Sequence, residues 1–157
     1  MNTDLEDPFE IVIRALDCIH RDQDNPSWSP CNFPHQWFVV WAVVHSFGII
    51  GNGGLRFFFE NDWPKGVTYT KFIEAYNTIG AIDSAQCLSE VVSLLFGDKH
   101  DIGIEERRTI LDKWDNVTPS PLADFSRSFL IPNKQMDRLL STYISKNESY
   151  FGSQNKR

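Results

Sequence analysis

Trp37-Phe38-Val39-Val40-Trp41-Ala42-Val43-Val44-His45-Ser46-Phe47-Gly48-Ile49-Ile50, followed by Gly51-Asn52-Gly53-Gly54, is the stretch that decides the fold. Trp37, Val40, Trp41, Val44 and Phe47 recur at helical steps, and Val39 and Val43 widen the stripe. A helix apolar over so wide an arc sits at the centre of its domain. The β-branched pairs Val39-Val40 and Val43-Val44 also suit a buried strand, the competing reading for this segment. The apolar run is shorter than a bilayer span and contains His45 and Ser46, so a core helix is expected and no membrane span. Three glycines then break or sharply kink it, and Leu55 to Glu60 reads as a short aromatic helix closed by Asn61-Asp62-Trp63-Pro64.

Helical spacing continues on both sides. Upstream, Asp7 caps a first helix, Pro8 fits the first helical position, and Glu10 completes a capping-box spacing. Phe9, Val12, Leu16 and Ile19 draw its apolar face, and the turn formers from Asn25 to Pro34 end it. Downstream, Tyr69, Phe72, Ile73, Tyr76 and Ile79 mark a helix stopped by Gly80. Asp83 with Gln86 repeats the capping-box spacing before a helix that ends at Gly97. Ile104, Arg108, Leu111 and Trp114 draw a more exposed helix, Leu122 to Leu130 a short turn, and Asn133 caps a last helix facing inward through Met136, Leu139, Leu140 and Tyr143. These elements predict an all-α, single-domain orthogonal bundle of roughly seven or eight helices over residues 1–147, with a polar, mobile tail at 148–157.

The chain has 157 residues, 41% hydrophobic and 23% charged, with 21 acids against 15 bases and a net charge of -6. That balance argues against direct nucleic-acid binding and against binding to anionic membrane, both of which need clustered Lys and Arg. Met1 to Glu10 carries no secretory pattern, and three scattered cysteines, Cys18, Cys31 and Cys87, make no disulfide framework. A cytoplasmic location is the expectation.

Gly51-Asn52-Gly53-Gly54-Leu55-Arg56-Phe57-Phe58-Phe59-Glu60-Asn61 resembles the core signature of a bacterial family of helical domains of unknown function, the family that includes DNA mimic protein nineteen. The positions that carry the likeness are Asn52, Gly53, Gly54, Phe58 and Asn61, with Gly80 and Ala81 after the next helix. Asp124 to Phe129 and Tyr143-Ile144 look similar to the family's C-terminal elements, so the resemblance spans roughly Val39 to Asn147. It implies an all-helical domain, often dimeric, with no established catalytic centre. It also implies a surface charged like double-stranded DNA that sequesters a DNA-binding regulator.

The charges are unevenly placed. Residues 1–24 hold seven acids against two bases, residues 98–125 seven against four, and residues 126–157 two against six. If the first helix packs beside the 98–115 region, Asp4, Glu6, Asp7, Asp98, Asp101, Glu105 and Glu106 form one acidic partner-binding face. Ordinary caps and solvated helix faces account for the same residues. Successive positions on a helix are rotated by about 100°, so Phe57, Phe58 and Phe59 cannot all face one core. Phe57, Phe59 and Trp63 are therefore candidate interface aromatics, with a homodimer as one partner.

Catalytic and cofactor signals are weak. Gly51 to Gly54 lacks the spacing of a phosphate loop, Cys31 and His35 lack a zinc frame, and His45 has no base or nucleophile partner at recognisable spacing. We expect a non-enzymatic protein-interaction domain without cofactor or metal that binds a basic, DNA-binding protein. The alternatives are an immunity or accessory protein that blocks a toxin or enzyme, and a small enzyme built around His45.

Overall fold

Asp7 and Pro8 start the first helix as their positions suggest: the Asp7 carboxylate accepts the Phe9 N–H at 3.0 Å and Pro8 takes the first helical position. The structure, a computed structural model, describes residues 6–99 and 102–152. Among them lie seven helices and no strand: α1 (Pro8–His20), α2 (His35–Glu60), α3 (Tyr69–Ile79), α4 (Ile82–Phe96), α5 (Ile104–Asp115), α6 (Pro121–Phe129) and α7 (Asn133–Lys146). Single 3₁₀ turns occupy Pro30–Asn32 and Glu148–Tyr150. The strand alternative for residues 39–44 gives way to helix.

Every other helix but α4 packs on α2, and α4 is held through α3 and α6. By length and composition alone α2 is long and apolar enough to cross a membrane, yet half of its most apolar window is buried within the bundle. Val39, Val40, Ala42 and Val43 are fully buried. A hydroxyl pair lies at the α2–α3 contact: Ser46 Oγ sits 2.8 Å from the Tyr76 hydroxyl and donates to the Ala42 carbonyl at 2.6 Å. Burial pushes the Tyr76 phenol well above its ordinary range. Below that contact, Trp41, Phe58, Trp63 and Phe72 interlock, with Trp63 and Phe72 centroids 4.6 Å apart.

Of the three glycines from Gly51 to Gly54, only Gly54 leaves helical geometry, at φ 72° and ψ -177°. That region of backbone space is open essentially to glycine alone. The kink strips the Leu55 N–H of its helical acceptor, and Ser126 Oγ on α6 accepts it instead at 2.9 Å. Ser126 in turn donates to the Leu122 carbonyl at 2.7 Å. A Cβ on residue 54 would stand 3.0 Å from that hydroxyl. Gly80 closes α3 at φ 88°, and Ala81 N–H reaches back to the Tyr76 carbonyl at 2.9 Å.

Four details differ from the sequence expectation. Asp83 does not cap α4, which begins one residue earlier at Ile82 with Ala81 before it and no side-chain cap. Asn133 is the first residue of α7 and not its cap, because Pro132 occupies that place. The turn at 122–130 is a full helix, α6, begun by Pro121 and held by buried Leu122 and Phe129. The polar tail is packed as far as Phe151, which is buried, while Trp37 Nε1 donates to the Tyr150 carbonyl at 2.6 Å. Residues 153–157 lie outside the described residues.

Gly54→Ala is expected to destabilise the fold by about 2–3 kcal/mol through backbone strain. Ser126→Ala should cost about 1–2 kcal/mol by orphaning the Leu55 N–H. Urea unfolding of both variants checks this, with Gly51→Ala, at a helical position with open space around it, as the near-neutral control.

Candidate functional site

The acidic residues divide between two flanks of the bundle. Asp4 and Asp101 lie outside the described residues. Glu6 pairs with Arg14, whose guanidinium lowers the Glu6 carboxyl below its ordinary value, and Asp7 is spent on the α1 cap. Asp98 is exposed just beyond α4, Glu105 pairs with Arg108 at 3.0 Å, and Glu106 pairs with Lys99 at 2.8 Å. The packing condition for one continuous face is not met. α1 packs chiefly on α7 and also on α2, whereas α5 packs on α2 and α6. The cause is the apolar face of α1, whose Val12, Ala15 and Ile19 are buried in the core.

On the α5 flank the structure gathers a cluster that charge counting misses. Arg56, two residues past the kink, meets Glu60 at 2.8 Å, Asp112 at 2.7 Å and Asp115 at 2.7 Å. Hydrogen bonds to Asp115 and Asp112, then Glu60, raise the Arg56 guanidinium well above its ordinary value. Ser120 Oγ adds a 2.8 Å bond to Asp115. Three carboxylates therefore surround one cation, leaving an excess of negative charge in fixed positions. The available signal was the Arg56–Glu60 spacing of four and the Asp112–Asp115 spacing of three, each one face of a helix.

Arg107 takes the opposite course. Its Nη1 donates to the Phe59 carbonyl at 2.9 Å and the Asn61 carbonyl at 3.2 Å, and lies 3.2 Å from the Tyr69 hydroxyl. A cation at those carbonyls complements the C-terminal end of the α2 dipole. Its charge is thereby turned inward, so α5 presents a more acidic outer face than its composition suggests.

The signature residues are chiefly structural. Phe58 is fully buried, Asn61 closes α2 with its N–H on the Phe57 carbonyl at 3.0 Å, and Ala81 is buried at the start of α4. Asn52 is exposed. The Phe57 ring folds back over Gly53, where any Cβ would collide with it. Of the three candidate interface aromatics, only Phe57 is exposed, at 56%. Phe59 is fully buried against Tyr69 and Phe96, and Trp63 is half-buried with Nε1 on the Phe58 carbonyl at 3.0 Å. Rotation along the helix turns the first ring out and the next two in.

His45 is half-buried, stacked on Trp41 at 5.0 Å and edge-on to His20 at 5.4 Å. Its Nδ1 donates to the Trp41 carbonyl at 2.8 Å. Burial holds its pKa below the usual 6.5, with a smaller contribution from His20. Among the described residues no group of His, Cys, Asp and Glu has the arrangement of a metal site.

A family model described as DMP19-like protein matches residues 31–147, well over half of the chain. It begins after α1 and takes in the kinked helix, the Arg56 cluster and α7. No curated protein and no solved structure matches the chain.

Phe58→Ala is expected to destabilise by about 3–5 kcal/mol and Phe57→Ser by less than about 0.5 kcal/mol, measured by urea unfolding. The depressed His45 pKa makes a second prediction. Below about pH 6.5 the unfolded chain binds a proton that the native state resists, so this group subtracts stability as pH falls from 7.5 toward the folded pKa. The slope from this one site is at most about 1.4 kcal/mol per pH unit. His45→Gln should remove that portion of the pH dependence in denaturation midpoints.

Proposed function

The chain belongs to the DMP19-like protein family, and we propose that it serves as a non-catalytic, cytoplasmic interaction domain whose acidic flank binds a basic, DNA-binding protein by imitating the nucleic-acid backbone. The observation that carries the reading is the Arg56 cluster. A surface that stands in for phosphates needs carboxylates held at fixed positions with negative charge left over, because its partner is built for high linear charge density. Glu60, Asp112 and Asp115 are positioned by one guanidinium that cannot neutralise all three. Glu105 and Glu106 continue the row of exposed carboxylates along α5, each within an exposed ion pair to Arg108 and Lys99 respectively, and Arg107 faces away from it. The sequence expectation placed this surface across both acidic segments; the α5 flank alone is the better candidate, since α1 packs beside α7, which carries Lys134, Arg138 and Lys146.

The test is affinity capture from host lysate on the intact chain, eluted first by salt and then by duplex DNA. A basic DNA-binding protein that duplex DNA displaces is the expected result. Replacing Glu105, Glu106 and Asp112 together with lysine should abolish its capture, and a cooperative urea transition checks that the variant still folds. A captured partner indifferent both to DNA and to these charge reversals overturns the proposal.

A further inference from the structure

On the flank away from the Arg56 cluster, α1, α2 and the α6–α7 connection enclose an open, largely apolar groove of about 530 Å³. Its floor is α2, where Gly48 and Gly51 are both exposed and an added Cβ would meet nothing within 4 Å. On an otherwise bulky helix these two positions, three apart, bring the backbone of one face within reach of a ligand. One wall is α1, where Phe9 is 51% and Ile13 36% exposed although both are large and apolar. They stand one turn apart on the groove side, which makes a patch and not a scatter. Ile131 and Met136 form part of the opposite wall.

Charge narrows the occupant. Among the described residues the groove is lined by no Lys, Arg or His, and its one charged lining residue is Asp137 on α7. Asp137 is half-buried and has no ion pair among the described residues. Burial, and then the nearby Asp7 carboxylate, raise its pKa. An apolar trough with a carboxylate that has no ion pair among the described residues, at the end where α1 begins, is complementary to an amphipathic segment carrying one cation beside its apolar stripe. The α1 wall also lies outside the residues that the family model matches.

We infer that this groove receives an amphipathic helix of a partner protein, its apolar stripe over Gly48 and Gly51 and a Lys or Arg at the Asp137 end. The surface is distinct from the acidic flank on α5, and neither depends on the other.

A display library of amphipathic helical peptides, randomised at the flanking positions, selected on the intact chain tests this. Gly48→Leu fills the floor at an open helical position where leucine is a better helix former than glycine, so the variant keeps its fold. Selected peptides should carry Lys or Arg at one end, and should lose at least about tenfold in affinity on Gly48→Leu, or about 1.4 kcal/mol. Asp137→Asn should weaken the cationic peptides by several fold and leave uncharged ones unaffected. Peptides that bind Gly48→Leu as well as the parent chain, or a selection enriched in acidic ends, overturn the inference. So does a self-associating parent chain that Gly48→Leu converts to monomer in sedimentation, which would assign the groove to a second copy.

Discussion

One backbone N–H organises this bundle. At Gly54 the central helix adopts a conformation closed to other residues, and the Leu55 amide loses its place in the helical ladder. Left unpaired in a partly buried position, it would destabilise the fold by about 1–3 kcal/mol. Ser126 supplies the acceptor from a helix 71 residues further along the chain. The bend and the seating of α6 are therefore one event. The bend also aims the six residues after it: Leu55, Phe58 and Phe59 enter the core, Arg56 turns toward α5, and Phe57 covers Gly53 from outside. The signature around Asn52 to Asn61 follows from this geometry, with Gly53 required for the ring above it and Gly54 for the backbone itself.

Much of the fold was legible because its signals are local. Apolar spacing located α2, α3 and α7, Pro8 fixed the start of α1, and Gly80 fixed the end of α3. What the sequence concealed lay in competition between equally plausible neighbours. Ala81 follows a left-handed glycine and can lead directly into α4, so Asp83 falls inside the first turn instead of capping it. Pro132 displaces Asn133 inward for a similar reason. Leu122 to Leu130 read as a short turn; tertiary burial of Leu122 and Phe129, together with the Ser126 contact, makes a helix of Pro121–Phe129. The tail looked polar by composition, yet of its two aromatics Phe151 finds a buried seat while Tyr150 stays exposed.

The candidate site was less legible, because charge counts carry no direction. Counting treated Arg107 as one more solvated base in an acidic segment, but it is turned against the end of α2. Counting likewise left Arg56 outside the acidic segments, although it gathers carboxylates from two helices. Both effects arise because α5 lies across the end of α2, a long-range relation that no spacing within α5 announces. The three phenylalanines were the opposite case: helical rotation alone required that one face outward, and the kink decided which.

The hydroxyl contact between Ser46 and Tyr76 has a consequence for the uniqueness of the assembly. A helix as uniformly apolar as α2 offers its neighbours many seats of similar energy, since greasy surfaces tolerate sliding and rotation. Only one docking of α3 lets the Tyr76 hydroxyl meet Ser46 within the dry interior. Any slipped arrangement strands a polar group without water or partner. The pair thus acts as a registry mark, making the correct alignment distinguishable from near misses that bury the same amount of hydrocarbon.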